Sequence, residues 1–134
     1  MTRTPTLLER WLQAGDAGDL DVFDDLLHPD VRVHAPLGLS TTGIEAEKEV
    51  WRAALRAMPD LRHDVQEVVV DDATIAVRTV VSGTLVGAFG GVAATGRPFR
   101  IDQAVFARVR DGLLTEIWEI ADVAPIVREA DGVG

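Results

Sequence analysis

An α+β fold, with helices covering one face of a curved sheet, is what this 134-residue sequence predicts, and three observations carry it. Apolar residues recur at helical spacing in the first half of the chain, and the period then changes to strand alternation. The order that results is helix, helix, short strand, helix, then four strands in antiparallel succession, the segregation typical of α+β domains. Gly87, Gly90, Gly91 and Gly96 lie between two of those strands, where glycines favour a tight bend of the sheet.

Each element has its own signals. Thr4-Pro5 is a favourable helix start, because proline's missing N–H falls where a helix has no partner for it. Leu7, Leu8, Trp11 and Leu12 follow at helical spacing, and Gly15 with Gly18 is expected to close the segment. Asp19 can cap a second short helix carrying Leu20, Phe23, Leu26 and Leu27. His28-Pro29-Asp30 reads as a turn, and 31–34 as a short strand stopped by Pro36. Residues 38–43 read as loop. A helix over 44–58 carries Val50, Trp51, Ala54, Leu55 and Met58 before Pro59-Asp60. Strands are predicted over 61–70 and 74–85, joined at Asp71-Asp72, and over 99–109 and 114–123. The last two flank Asp111-Gly112, a strong hairpin signal because both residues tolerate positive φ. The tail over 128–134 is polar and expected to fray. No internal repeat or second domain is visible, so one domain is expected over 1–134.

Composition excludes several function classes. The net charge is −9 with no basic run, which disfavours nucleic acid and anionic membranes as partners. The absence of cysteine removes disulfides, thiol nucleophiles and thiolate metal sites, and suits a reducing cytoplasm. The N-terminus reaches Glu9 and Arg10 before any long apolar run, so neither a signal peptide nor a spanning helix is expected. Localisation is expected to be cytoplasmic.

Candidate chemistry concentrates in the final hairpin. Strand alternation puts Glu119 on the face of Ile117 and Ala121, and Glu116 on that of Trp118 and Ile120. An acid on a largely apolar face is either a pocket acid or a sheet-edge residue in water. Asp122 is the fallback acid if the strand bulges, or else caps the last turn. Gln103 shares a face with Ile101, Val105 and Ala107, where its amide serves either a ligand carbonyl or a structural hydrogen bond. Arg32 and His34 share one face of the first strand. Trp11, Trp51 and Met58 sit at core spacing on helices. His28 and His63 read as structural or exposed. His28, His34 and His63 lack the pairings of a metal site, so no metal is expected. The glycines precede a strand rather than a helix, which removes the helix N-terminus that a phosphate cradle needs.

His28-Pro29-Asp30, Pro59-Asp60, Ser82-Gly83-Thr84, Thr95-Gly96-Arg97 and Arg108-Val109-Arg110-Asp111-Gly112 leading to Glu116-Ile117-Trp118-Glu119 occur in an order that resembles the SnoaL-like polyketide (ester) cyclases. These belong to the nuclear-transport-factor-2-like superfamily, and the resemblance spans nearly the whole chain. It implies a cone: a bent antiparallel sheet wrapped around N-terminal helices (a cystatin-like α+β barrel), with a deep apolar pocket. It also implies a homodimer through the outer sheet face, which should carry Arg100, Asp102, Phe106, Arg108, Trp118 and Ile120. The family's acid–base aspartate for intramolecular aldol closure falls at Glu119, which keeps the carboxylate. Its frequent histidine after Gly-Thr is replaced by Leu85.

Because this superfamily hosts many chemistries, function must come from pocket residues. The resemblance puts Glu119, His34, Gln103 and Asp122 in the catalytic set. It implies that Trp11, Arg32, Trp51, Met58, Thr79, Val105 and Ile117 contact a small hydrophobic carbonyl substrate, with Val77 in the same wall and no cofactor. The expected activity is a cofactor-independent cyclase or isomerase. Two alternatives stand beside it. An epoxide hydrolase would need an arginine and an aspartate two apart, where Thr79 and Val81 stand. A non-catalytic binding module would follow if Glu119 were exposed, or if Trp11, Trp51, Phe89 and Phe106 filled the cavity.

Overall fold

The computed structural model describes residues 3–130. Helix α1 (Leu7–Ala17) starts two residues later than Thr4-Pro5 suggests. Thr6 and Glu9 form a capping box: the Thr6 hydroxyl accepts from the Glu9 N–H, and the Glu9 carboxylate accepts from the Thr6 N–H. The helix runs through Gly15 and ends at Gly18, whose φ of 73° is the left-handed cap that glycine adopts without strain. A 3-10 turn (Leu20–Val22) leads into α2 (Phe23–Leu26).

Strand β1 (Leu27–His34) is longer than predicted. His28-Pro29-Asp30 does not separate two elements. It forms an irregularity within β1, where the Asp30 N–H donates to His28 Nδ1 at 3.0 Å and the register against the neighbouring strand shifts. Strand β2 (Thr41–Thr42) and helix α3 (Ile44–Ala57) follow. The meander is β3 (Arg62–Asp71), β4 (Thr74–Thr84), β5 (Pro98–Arg110) and β6 (Leu113–Ala121). Helix α4 (Ala124–Ala130) replaces the start of the expected frayed tail, and the rest of that tail lies outside the described residues. Its Ile126 and Val127 pack against Met58, Leu85 and Val92, an apolar anchor that a polar reading of the tail overlooks.

The six strands run in the order β2-β1-β6-β5-β4-β3. Neighbours within β3–β6 are antiparallel as expected, but β1 pairs parallel to β6, so the sheet is mixed. Bulges at Gln66 on β3 and Thr115 on β6 add the local twist that curls it into a cone. Asp111 and Gly112 have φ of 53° and 76°, the geometry of the two-residue hairpin turn that their sequence predicts. Among the described residues no helix is long and apolar enough to cross a membrane.

The concave face packs onto the helices in two zones. In one, Leu8, Trp11, Leu12, Phe23, Leu26 and the inner residues of β1, β4, β5 and β6 form a dense core. Trp11, Phe23 and Trp51 pack there in a triangle of edge-on and tilted contacts, with centroid separations of 5.6–6.1 Å. The other zone, around Ala54, Met58, Leu85 and Val92, is incompletely filled. The 86–97 connection closes over it. Val86 and Gly87 both donate their N–H to the Ala57 carbonyl, at 2.8 and 3.2 Å, and so supply partners at the end of α3.

Candidate active site

The unfilled zone is a cavity of about 140 Å³ with mostly apolar walls. Among the described residues its titratable lining is Glu47 from α3, His63 from β3 and Glu119 from β6.

Glu119 pairs with Val105 across the β5–β6 ladder and alternates inward with Ile117 and Ala121. The bulge at Thr115 comes before it, so the inward phase from Ile117 onward is undisturbed. No hydrogen-bond partner satisfies its carboxyl among the described residues. Burial, then the nearby charge of Glu47, pushes Glu119 up to about 8.

Glu47 was not anticipated. It is almost fully buried, accepting from the Thr41 hydroxyl at 2.7 Å and from Trp51 Nε1 at 3.0 Å. Burial pushes it up to about 7, and those two hydrogen bonds oppose the shift. The available signal was its spacing: Glu47 precedes Trp51 by one helical turn, on the face that also carries Ala54.

His63 was expected to be structural or exposed, yet its ring is buried in the cavity wall, 5.6 Å from the Trp51 ring. The two oxygens of Asp16 accept from the His63 backbone N–H and meet its ring Nδ1, both at 2.7 Å. Asp16 lies on α1, far away in sequence, so no local spacing announces the pair.

Gln103 lines the cavity, and its Oε1 accepts from the Thr79 hydroxyl at 3.3 Å, which leaves the amide N–H groups for the interior. Trp51 and Met58 also line it. Trp11, Thr79, Val105 and Ile117 do not, and neither does Val77. They are buried in the filled core beneath, where α1 and α2 occupy the space. The cavity wall is set one step along the same strand faces, at Val81, Ile101 and Ala121.

Arg32 and His34 are on the outer face of the sheet, away from the cavity. Val31 and Val33 take the inner positions of β1, so their neighbours must point outward. His34 Nε2 is 2.6 Å from Glu116, and its ring stacks on Trp118 at 5.4 Å. Arg108 covers the same Trp118 ring at 5.8 Å. Asp122 is exposed and its carboxylate accepts from the Ala124 N–H at the start of α4, the capping role. Phe89 lines the cavity, whereas Phe106 is on the outer face, 41% exposed. Among the described residues no group of three or more His, Asp or Glu side chains is placed to hold a metal ion.

Comparison with known proteins fits this architecture. IdmH from Streptomyces antibioticus, a proposed polyketide cyclase, is 30% identical over 93% of this chain and 96% of its own, with a TM-score of 0.79. TsrD from Streptomyces laurentii is 28% identical over 96% of this chain and 93% of its own, with a TM-score of 0.81. A SnoaL-like protein from Jannaschia, at 21% identity, covers 97% of this chain and 96% of its own with a TM-score of 0.83 and shares the fold. No curated protein sequence matches. The family profile described as SnoaL-like polyketide cyclase matches residues 6–130, and the chain belongs to that family.

Proposed function

We propose that the protein is a cofactor-independent cyclase of the isomerase type, closing a ring in a hydrophobic carbonyl substrate by acid–base aldol chemistry at Glu119. One observation carries the reading: a carboxyl without a partner among the described residues stands on an apolar cavity wall. Burial holds it near the working pH, where proton transfer by a positioned side chain is most effective.

Ring closure needs a proton removed from carbon next to one carbonyl and a proton delivered to the oxygen of another. The atoms of substrate and product are the same, so no redox partner enters. The Gln103 amide is suited to hold a carbonyl oxygen beside Glu119. Trp51 and Met58 supply flat and adaptable apolar contact. A cavity of about 140 Å³ is comparable to one that holds a benzene ring, about 150 Å³. It therefore encloses roughly one ring of substrate at a time. Nothing in the wall favours epoxide hydrolysis, since Thr79 is beneath the cavity and Val81 is apolar.

The test is Glu119→Gln, which keeps shape and hydrogen bonding and removes the proton-transfer group. Turnover of aromatic polyketide β-ketones should fall by about 10²–10⁴-fold with the fold unchanged. A wild-type rate would sink the assignment. We further propose that the protein is a homodimer through the outer sheet face, where Ile120 is 61% exposed beside Phe106.

A further inference from the structure

We propose that His63, oriented by Asp16, is a second catalytic residue of this site: it removes the carbon-bound proton, and Glu119 protonates the oxygen. The proposal rests on the carbonyl reading above and divides between two walls of one cavity the work that a single carboxyl would otherwise do in turn.

The geometry points to His63 rather than to Glu47, the remaining titratable group. Both oxygens of Glu47 are already engaged, one by Thr41 and one by Trp51. His63 is held differently. Asp16 grips its backbone N–H and its ring Nδ1 at once, which fixes both the position of the residue and the rotation of the ring. An ionised carboxylate can only accept, so in the neutral ring the proton is drawn to Nδ1, and the lone pair is then on Nε2. Nε2 makes no protein hydrogen bond among the described residues. It is not sealed off either, because Trp11 Nε1 is the one sealed and unpartnered side-chain polar atom there. The residue lines the cavity, the side from which a ligand would meet that lone pair. Glu119 suits the complementary role. A carboxyl held at about 8 is mostly protonated at neutral pH, ready to donate and poor at abstracting.

The step balances. The Nε2 lone pair takes a proton from the carbon next to one carbonyl, and the C–H electron pair becomes the new C–C bond to the second carbonyl carbon. The π pair of that carbonyl moves to its oxygen, which takes the proton of Glu119. One proton then passes from the imidazolium to the Glu119 carboxylate, restoring both groups. Asp16 touches no reacting atom and acts through His63, which makes it a positioning residue.

The experiment uses phenylacetone, a one-ring ketone with an acidic C–H, and follows deuterium uptake in D2O by NMR with the whole 134-residue protein. Exchange needs only a base at carbon and a hydrogen-bond donor at oxygen. Wild-type protein should accelerate it, and His63→Gln should lose about 100-fold or more. Glu119→Gln, which still donates a hydrogen bond, should lose less than about tenfold. Added imidazole should restore exchange to His63→Ala, which a purely structural role would not allow. Asp16→Asn should lower kcat with KM for phenylacetone unchanged. Exchange that survives in His63→Gln but vanishes in Glu119→Gln overturns the division and leaves Glu119 as sole acid–base. Equal loss in both variants, with folding intact by circular dichroism and no rescue by imidazole, also overturns it. No acceleration by the wild-type protein overturns the carbonyl reading itself.

Discussion

The indole ring of Trp51 lies so close to Gly15 that a Cβ at residue 15 would come within 2.5 Å of ring carbons. Gly15 is therefore not the end of α1 but the place where that helix admits the wall of the cavity. Gly15→Ala should destabilise the fold by about 1–3 kcal/mol despite alanine's better helix propensity, because overpacking outweighs it. Urea denaturation of the variant checks this, and an unchanged or raised midpoint would contradict the packing.

Stability should fall as pH rises from about 4.5 to about 8. Glu119 and Glu47 are both raised in the folded state above their ordinary value of 4.5. In that window the folded protein holds protons that the unfolded chain has released, so raising pH favours unfolding. Thermal midpoints measured between pH 5 and 9 should decline, and Glu119→Gln should flatten the slope. An equal slope in the variant would refute the burial of that carboxyl.

The descending side of the activity profile should belong to Glu119. If it acts as the acid, activity is lost as pH rises through about 8, whereas a base at this position would give the opposite trend. Glu47→Gln removes the second cause of the shift, so the loss should move to lower pH. His63 is the other titratable group in the cavity lining, and His63→Gln should leave this descending side in place within any residual activity. Rates of phenylacetone exchange against pH give both comparisons.

Substitutions on the outer face should leave the chemistry alone, and two of them test assembly. Phe106→Glu together with Ile120→Glu places charge on the exposed apolar patch and should shift sedimentation from the proposed dimer to monomer. His34→Ala removes the contacts to Glu116 and Trp118 and should change the rate by less than about threefold, since the residue does not face the cavity. A large loss in His34→Ala would mean that the outer face contributes to the site.

The faces of the late strands were legible in sequence because alternation there is carried by strong apolar residues. Ile117 and Ala121 fix the phase that puts Glu119 inside, and Ile101 and Val105 do the same for Gln103. How far along a strand the cavity begins was not legible. That boundary is set by where α1 and α2 run out, so Thr79, Val105 and Ile117 are core while Val81, Ile101 and Ala121 are wall. The side of β1 was misread because its polar residues were weighed before Val31 and Val33, which carry the hydrophobic phase. Asp16 and His63 are joined only by the closure of α1 onto β3, a tertiary event with no spacing of its own.

The paired bonds from Val86 and Gly87 to Ala57 make the 86–97 connection and the last turn of α3 a single mechanical unit. Phe89 and Val92 come from one part of that unit, Ala54 and Met58 from the other, and all four border the cavity. An enclosed molecule can leave by this route only when both bonds break together with the apolar contacts around them. The rate of ligand release and amide hydrogen exchange at residues 86 and 87 should therefore rise and fall together, linking release of a ligand to local opening of a helix end rather than to the flexibility of glycine.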